Sequence, residues 1–282
     1  MLTDTHAHLD FPDFASDLDE ILARATAAGV TRILSIGTSV ESSRRALALA
    51  EKYPQVCAVI GVHPNAAGEA APGFIEALRA LAQHPRVVAI GETGLDYHRL
   101  PSARHTPEAL AALGNETPGD IADALADGAH KSRQAAVFEQ QLDLAAELGL
   151  NVVIHERDAW DDTLAILRNY TGKLRAVFHC FGKSPAQAQE ILALGHLVSF
   201  TGIVTFKNAQ AAQETARTIA GDAFMLETDC PFLAPAPFRG KRCEPAHMRT
   251  TAAFIAQLRG EPLTTLAERT TATAAAFFRR PL

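Results

Sequence analysis

Eight short apolar runs recur along this chain, and most of them are separated by stretches with helical periodicity. Most of these runs contain several β-branched residues and each has the length of a buried strand, whereas the intervening stretches repeat apolar residues every three or four positions. Strands that alternate with helices in this way build parallel sheets. The predicted strands are Leu2–Leu9, Arg32–Thr38, Val56–His63, Val87–Gly94, Asn151–His155, Arg175–Phe181, His196–Thr201 and Phe224–Asp229.

Two parallel α/β architectures are open to such a chain: a doubly wound sheet and a closed (β/α)8 TIM barrel. A doubly wound sheet normally carries a glycine-rich phosphate loop after an early strand, and the sequence has neither G-x-G-x-x-G nor G-x-x-x-x-G-K-[ST]. The count of eight favours the barrel, and 282 residues fit one barrel domain over 1–282. The predicted helices are Asp17–Gly29, Ser42–Tyr53, Gly73–Gln83, Gln134–Leu148, Trp160–Asn169, Pro185–Leu194, Ala209–Ala220, Glu244–Leu258 and Thr265–Phe278.

The alternation breaks at residues 98–133, where prolines, glycines, acids and alanines follow one another without a clear strand. We interpret this segment as an insertion in the loop after strand four, with short helices at Ala109–Leu113 and Ile121–Ala126. In a barrel such a loop lies near the active-site face. Alternatively, the segment is a surface loop that takes no part in catalysis.

Composition narrows the class of protein. The net charge of −6 argues against a whole-molecule electrostatic binder of nucleic acid, although a local basic patch stays possible. No apolar run is long enough to span a bilayer, and the first residues lack the pattern of a signal peptide. The four cysteines are far apart and show no C-x-x-C spacing, which is typical of reduced thiols. We therefore expect a cytoplasmic protein that does not associate with membranes.

Polar residues are concentrated where the predicted strands end. His6 and His8 share one face of the first strand, and a barrel carries its active site at the carboxyl ends of its strands. Each such histidine or acid, taken alone, is also compatible with a purely structural role, as a hydrogen-bonded side chain or a helix N-cap. One shared cause is more economical, because imidazoles mixed with carboxylates suit two divalent cations that share a bridging acid. The candidates are His6, His8, His63, Glu92, His155, His179, Glu227 and Asp229.

The order of short motifs extends this pattern over most of the chain, from residue 4 to residue 245. The chain resembles the TatD family of metal-dependent hydrolases, which belongs to the amidohydrolase-like barrels. Gln134, Phe138 and Gln141 match the opening of a family helix. The other matches are DTHAHL at Asp4–Leu9, GVHP at Gly61–Pro64, GETGLD at Gly91–Asp96, VIHER at Val153–Arg157, FHCF at Phe178–Phe181, FTG at Phe200–Gly202, LETDCPFL at Leu226–Leu233 and RGKRCEP at Arg239–Pro245.

The resemblance implies two divalent cations, of zinc, manganese or magnesium. His6, His8 and Asp229 would hold one cation, His155 and His179 would hold the other, and Glu92 would bridge them. Asp229 would also accept a proton from the attacking water, which makes Asp229 and Glu92 the candidate catalytic residues. The substrate contacts implied are those of His63 with the scissile phosphate or the water, and of Arg239, Lys241 and Arg242 with substrate phosphates.

Two departures from the family pattern bear on substrate preference. Cys243 stands where the family usually has asparagine, and the 98–133 insertion is longer than usual. A buried, unreactive cysteine is the simplest interpretation of Cys243. Glu227 either orients the metal ligands or is a structural carboxylate of the barrel core, and the sequence leaves both interpretations open.

The resemblance implies a deoxyribonuclease that removes nucleotides from the 3′ end of DNA, with single strands or 3′ ends as partners. We expect a monomer. A second hypothesis is hydrolysis of a carboxylic ester or amide, as in a D-aminoacyl-tRNA deacylase. A third is a non-catalytic barrel that binds nucleic acid or a partner through its inserted loop and the basic run at 239–242.

Overall fold

Eight parallel strands form one sheet in the computed structural model of this chain, which describes residues 1–104 and 118–282, with only the backbone at 103–104 and 118–124. The spatial order of the strands is their order in the chain. All eight predicted strands are confirmed, and their ends differ from the prediction by a few residues. The strands are β1 Leu2–Ala7, β2 Val30–Ile36, β3 Val56–Ile60, β4 Val87–Asp96, β5 Asn151–Arg157, β6 Ala176–Phe178, β7 Leu197–Phe200 and β8 Phe224–Leu226.

The sheet closes between its first and last strands. Ala7 forms a parallel bridge with Cys230 just beyond β8. Two backbone hydrogen bonds of 2.8 Å flank it, from Asp229 N–H to the His6 carbonyl and from His8 N–H to the Cys230 carbonyl. The β1/β8 seam therefore lies half-way around the barrel from the pair β4 and β5, and the predicted TIM barrel is confirmed.

Helices surround the barrel and bury their apolar faces against the strands. The buried apolar residues form two clusters; the smaller one includes Leu34, Val59 and Val153 of the strands, which pack together with Phe277 and Phe278. Within the described residues no helix is apolar enough over a sufficient length to cross a membrane. The helices are α1 Leu18–Ala27, α2 Val40–Lys52, α3 Phe74–Leu81, α4 Pro118–Leu148, α5 Trp160–Arg168, α6 Pro185–Ala193, α7 Gln210–Thr218, α8 Met248–Arg259 and α9 Leu263–Phe277.

Helix α4 corrects one prediction. It begins at Pro118 rather than at Gln134, so residues 118–133 are helical and continuous with the predicted helix. The expected short helix Ile121–Ala126 is part of it, whereas Ala109–Leu113 lies outside the described residues. None of the side chains at 125–133 is buried. This portion therefore lacks an apolar stripe, and the periodic signal of a core-facing helix is missing from the sequence.

Two buried glutamines of α4 hold the ends of β3 and β4. The Gln141 amide accepts the Val62 N–H at 2.8 Å and donates to the Val62 carbonyl at 3.0 Å and to the Thr93 hydroxyl at 2.7 Å. The Gln134 amide makes the equivalent pair with the Asp96 backbone, at 2.9 and 3.0 Å. Each amide replaces a missing strand partner, and this stabilises the strand ends that carry the polar cluster.

Gly94 permits the close approach of β4 to β5. Its φ is +141°, and a Cβ atom at this position would lie 2.0 Å from the carbonyl oxygen of His155. Only glycine combines this backbone conformation with that distance. The contact brings the second half of β4, which carries Glu92, beside His155 of β5.

Candidate metal centre

The carboxylate of Glu92 lies at the centre of the barrel mouth, between two groups of histidines. Its Oε2 atom is 3.4 Å from His6 Nε2 and 3.9 Å from His8 Nε2. Its Oε1 atom is 2.8 Å from His155 Nδ1 and 3.5 Å from His179 Nε2. One buried carboxylate thus presents a different oxygen to each pair of imidazoles, which is the arrangement required of a bridging ligand.

The first group consists of His6, His8 and Asp229, whose ligand atoms lie within 4.8 Å of one another. The Oδ1 atom of Asp229 is 3.6 Å from His6 Nε2 and 3.3 Å from His8 Nε2. His8 Nδ1 donates to the Ile36 carbonyl at 3.1 Å, which leaves the lone pair on Nε2 directed at the carboxylates. The three side chains can therefore surround one cation.

His6 provides a test of whether a metal fits this group. Its side chain is fully buried, and neither ring nitrogen has a hydrogen-bond partner among the described residues. A buried polar atom without a partner is costly, whereas a neutral imidazole nitrogen is a good donor to a divalent cation. The residues therefore fit a metal at this position.

His179 belongs to the second group, and Glu227 orients its ring. His179 Nδ1 donates to Glu227 Oε1 at 3.0 Å, which directs Nε2 towards Glu92. Glu227 also accepts the Cys180 N–H at 2.6 Å and the Ser199 hydroxyl at 2.7 Å. A carboxylate behind a histidine in this way sets the tautomer and orientation of a metal ligand. The contact favours the orienting interpretation of Glu227.

Asp96 also belongs to the site, although it is not among the residues predicted from the sequence. Its Oδ2 atom lies 3.2 Å from His155 Nε2, on the far side of the ring from Glu92, and 3.2 Å from the Asn65 amide. Its position in the GETGLD motif, at the predicted end of strand four, was the available signal. His155 is consequently held between two carboxylates.

His63 differs from the other histidines in its hydrogen bonds. Its Nδ1 accepts the Asn65 N–H at 3.0 Å, so the hydrogen of the neutral ring is on Nε2. That atom faces His155 Nδ1 at 3.2 Å and Glu92 Oε1 at 3.7 Å. In this tautomer His63 is a hydrogen-bond donor into the cavity rather than a metal ligand.

The electrostatics of the cluster call for positive charge. Burial opposes ionisation of Glu92, but His179, His63 and His6 hold the pKa of this carboxyl well below its usual range. Burial likewise opposes protonation of His179, yet Glu227 and Glu92 raise its pKa to about 10. For His155, burial is outweighed by Asp96 and Glu92, and its pKa rises to about 9. Ionised carboxylates thus attract protons or, equally, cations.

A cavity of about 920 Å³ opens above the cluster. Arg99 and Arg157 are the basic residues in its lining, and both are exposed. Arg157 ends the VIHER motif, but neither arginine is among the residues predicted from the sequence.

The predicted basic run lies elsewhere: Arg239, Lys241 and Arg242 are absent from the lining of the cavity. Arg242 donates to both carboxylate oxygens of Asp17, at 2.9 and 2.6 Å, and the Arg239 guanidinium lies 4.4 Å from the centre of the Phe206 ring. The structure therefore does not bring the run together with the metal cluster, and its contact with substrate phosphates stays a prediction.

Cys243 is fully buried and lies outside the cavity lining. Its Sγ is 3.9 Å from the Glu244 carbonyl oxygen, and burial raises the pKa of its thiol. A thiol in this environment is unreactive. The geometry agrees with the interpretation of Cys243 as a buried, unreactive residue.

A closed parallel barrel with histidines and carboxylates gathered at its carboxyl mouth defines the metal-dependent hydrolases of the amidohydrolase-like type. The family model described as TatD related DNase matches residues 3–279. The chain belongs to the TatD family.

Curated relatives and a solved structure agree with this assignment. The chain is 37% identical over 280 residues to YabD of Bacillus subtilis, named an uncharacterized metal-dependent hydrolase, with 99% of each chain covered. It is 35% identical over 281 residues to the 3′-5′ ssDNA/RNA exonuclease TatD of Klebsiella pneumoniae, with 98% and 97% covered. The crystal structure of YjjV, a TatD homolog of Escherichia coli K12, superimposes with a TM-score of 0.83 at 29% identity, covering 99% and 98%. The predicted family is confirmed, and the chain is a metal-dependent hydrolase.

Proposed function

We propose that this hydrolase cleaves phosphodiester bonds and removes nucleotides from the 3′ end of single-stranded DNA. The observation that carries the proposal is the carboxylate of Glu92, whose two oxygens face two separate groups of histidines. A pair of cations bridged by one acid is suited to phosphoryl transfer, because it can stabilise both the attacking and the leaving oxygen. The Klebsiella relative, named a 3′-5′ ssDNA/RNA exonuclease, adds support for the substrate class.

The proposed ligands are His6, His8 and Asp229 for one cation and His155 and His179 for the other, with Glu92 between them. When bound, the cations would polarise the phosphoryl oxygen and lower the pKa of a water molecule. The imidazole-rich donor set suits zinc or manganese better than magnesium, which prefers oxygen ligands.

The remaining chemistry belongs to the side chains. Asp229 accepts the proton of the attacking water, because its carboxylate lies at the cavity surface beside His8. His63 donates its Nε2 hydrogen to a phosphoryl oxygen, and burial lowers its pKa to about 4, so the ring is neutral at pH 7. The carboxylates of the mouth exclude other anions unless cations are bound, which links substrate binding to metal occupancy.

The first test is the variant Glu92→Gln, which keeps the size of the side chain and removes its charge. We expect turnover of a labelled single-stranded DNA oligomer to fall by about 1,000-fold or more, since the bridging charge is lost. Elemental analysis of the purified protein should find less bound metal, while circular dichroism stays that of the folded barrel. Assays are run with manganese, zinc and magnesium in turn.

Glu147→Gln is the matched control, because Glu147 forms an exposed ion pair with Arg79 far from the mouth. It should retain full activity and metal content. Near-normal turnover by Glu92→Gln would contradict a bridged pair of cations. Cleavage of an aminoacyl ester without cleavage of DNA by the wild-type protein would instead favour the esterase hypothesis.

A further inference from the structure

Two aromatic rings line the cavity beside the first ligand group. The ring of Phe11 stacks on His8, with centroids 4.6 Å apart and planes 18° apart. Phe232 meets Phe11 edge to face at 6.0 Å and 78°. Phe232 is 50% exposed, and among the large hydrophobic residues that the structure records as exposed it alone lines the cavity. The two rings together form an apolar patch in the cavity lining, and apolar surface in a cleft of this kind is suited to contact with a ligand.

Backbone hydrogen bonds connect both rings to the metal cluster. The N–H of Phe11 donates to the His8 carbonyl at 3.2 Å, and the N–H of Phe232 donates to the Asp229 carbonyl at 2.9 Å. Each aromatic residue therefore comes three positions after a proposed metal ligand and is held in a tight turn with it. A group stacked on Phe232 would lie next to the reacting centre.

The side of the cavity opposite the aromatic rings carries positively charged side chains. Arg157 ends β5 and pairs in register with Asp96 of β4, and Arg99 follows β4 by three residues. The aromatic residues follow β1 and β8, half-way around the barrel. Carboxylates also line the cavity: Glu69 lies in the loop after β3, and Glu156 is paired with Lys183 at 3.1 Å. The cavity thus has one apolar aromatic wall and one wall that carries two guanidinium groups.

We propose that Phe232, supported by Phe11, stacks on the base of the 3′-terminal nucleotide, the one that is released. The inference rests on the proposed function and specifies its substrate. The rest of the strand carries many phosphates and so belongs on the side of Arg99 and Arg157, which leaves the single terminal nucleoside for the aromatic wall. Stacking accepts every base, because each has a π-face, so the enzyme would require a base without selecting one.

The test uses two 5′-labelled single-stranded DNA oligomers that differ only at the 3′ terminus. One ends in an ordinary nucleotide, and the other ends in an abasic tetrahydrofuran nucleotide. The wild-type protein should remove the ordinary nucleotide with a kcat/KM roughly 5- to 100-fold above that for the abasic one, the range expected for one base on one ring. Phe232→Leu should lower the rate on the ordinary terminus to that on the abasic one, and Phe232→Trp should keep the preference.

Phe254→Leu is the matched control, because Phe254 is a half-buried ring on α8 that packs against the core and does not line the cavity. It should preserve both rates. Equal wild-type rates on the two termini would overturn the stacking inference and leave the proposed function standing. A preference that survives in Phe232→Leu, or an equal loss on both termini, would overturn it as well. Failure of the wild type to shorten either oligomer with any metal would overturn the inference and the proposed function together.

Discussion

At the scale of single residues, two buried acids behind the cluster hold the proposed ligands in position. Asp4 is fully buried and accepts hydrogen bonds from the Thr228 N–H at 3.0 Å and the Thr228 hydroxyl at 2.7 Å. This contact joins β1 to the segment that carries Asp229. Glu227 acts in the same way on His179. The proposed metal ligands at the barrel mouth are therefore held in position by contacts behind them, on the side away from the substrate.

Glu227→Gln tests this positioning role. Glutamine keeps the shape but weakens the hydrogen bond that orients His179, so affinity for the cation held by His179 should fall by about 10- to 100-fold. A titration of the metal-free protein with manganese or zinc measures the change. Asp143→Asn, which alters a carboxylate bonded to the Tyr170 hydroxyl at 2.8 Å, is the control and should bind metal normally. Unchanged affinity in Glu227→Gln would leave Glu227 as a structural carboxylate of the core.

The sequence predicted the candidate metal ligands better than it predicted the residues that contact them in space. Histidines and acids at strand ends are visible because they interrupt apolar runs. The contact of Asp96 with His155 depends on the register between two strands, and the pairing of Arg242 with Asp17 joins residues 225 positions apart. Neither contact has a local signature, so the sequence did not reveal that Asp96 faces His155 or that Arg242 pairs with Asp17.

At the scale of elements, the spacing of β4 and β5 decides the geometry of the bridge. Gly94→Ala would place a methyl group 2.0 Å from the His155 carbonyl at a φ of +141°. The strands must separate, and we expect a stability loss of about 3 kcal/mol or more from overpacking and backbone strain. Metal content and turnover should fall with it, because His155 and Glu92 move apart.

Urea denaturation and elemental analysis measure the two effects of Gly94→Ala. Gly128→Ala is the control, since this glycine lies in α4 with open space around its Cβ position. Alanine there should be neutral or stabilising, because it favours the helix. A Gly94→Ala protein with wild-type stability and metal content would contradict the role assigned to the close approach.

The strands were predicted more completely than the helices, because a buried strand requires a run of apolar residues that is visible in the sequence. Every strand is flanked by buried partners, so apolar runs mark each one. Among the described side chains of helix α4, none at 125–133 is buried, whereas buried side chains recur from Gln134 onwards. Its true start at Pro118 was therefore invisible to periodicity.

At the scale of the whole molecule, cation binding should stabilise the folded barrel. The proposed ligands come from β1, β4, β5 and the segments after β6 and β8, so unfolding would disperse them. Ligands that bind only the folded state add stability by mass action. With cations at about 100 times their dissociation constants, chelation should lower the thermal midpoint by roughly 10 °C.

Differential scanning calorimetry with and without a chelator measures this shift. His98→Asn is the control, because His98 is an exposed histidine paired with Asp158 at 2.9 Å outside the cluster. It should keep the full shift, whereas Glu92→Gln should lose at least half of it. A thermal midpoint that does not respond to chelation of a metal-loaded sample would contradict metal binding by the folded barrel.

The seam between β1 and the segment after β8 has a consequence for biosynthesis. His6 and Asp229, whose N–H bonds to the His6 carbonyl, are 223 positions apart in the chain. Until Asp229 has been translated, the growing polypeptide lacks one of the three proposed ligands of the first group. We therefore expect a product truncated before Asp229 to bind metal poorly and to be inactive.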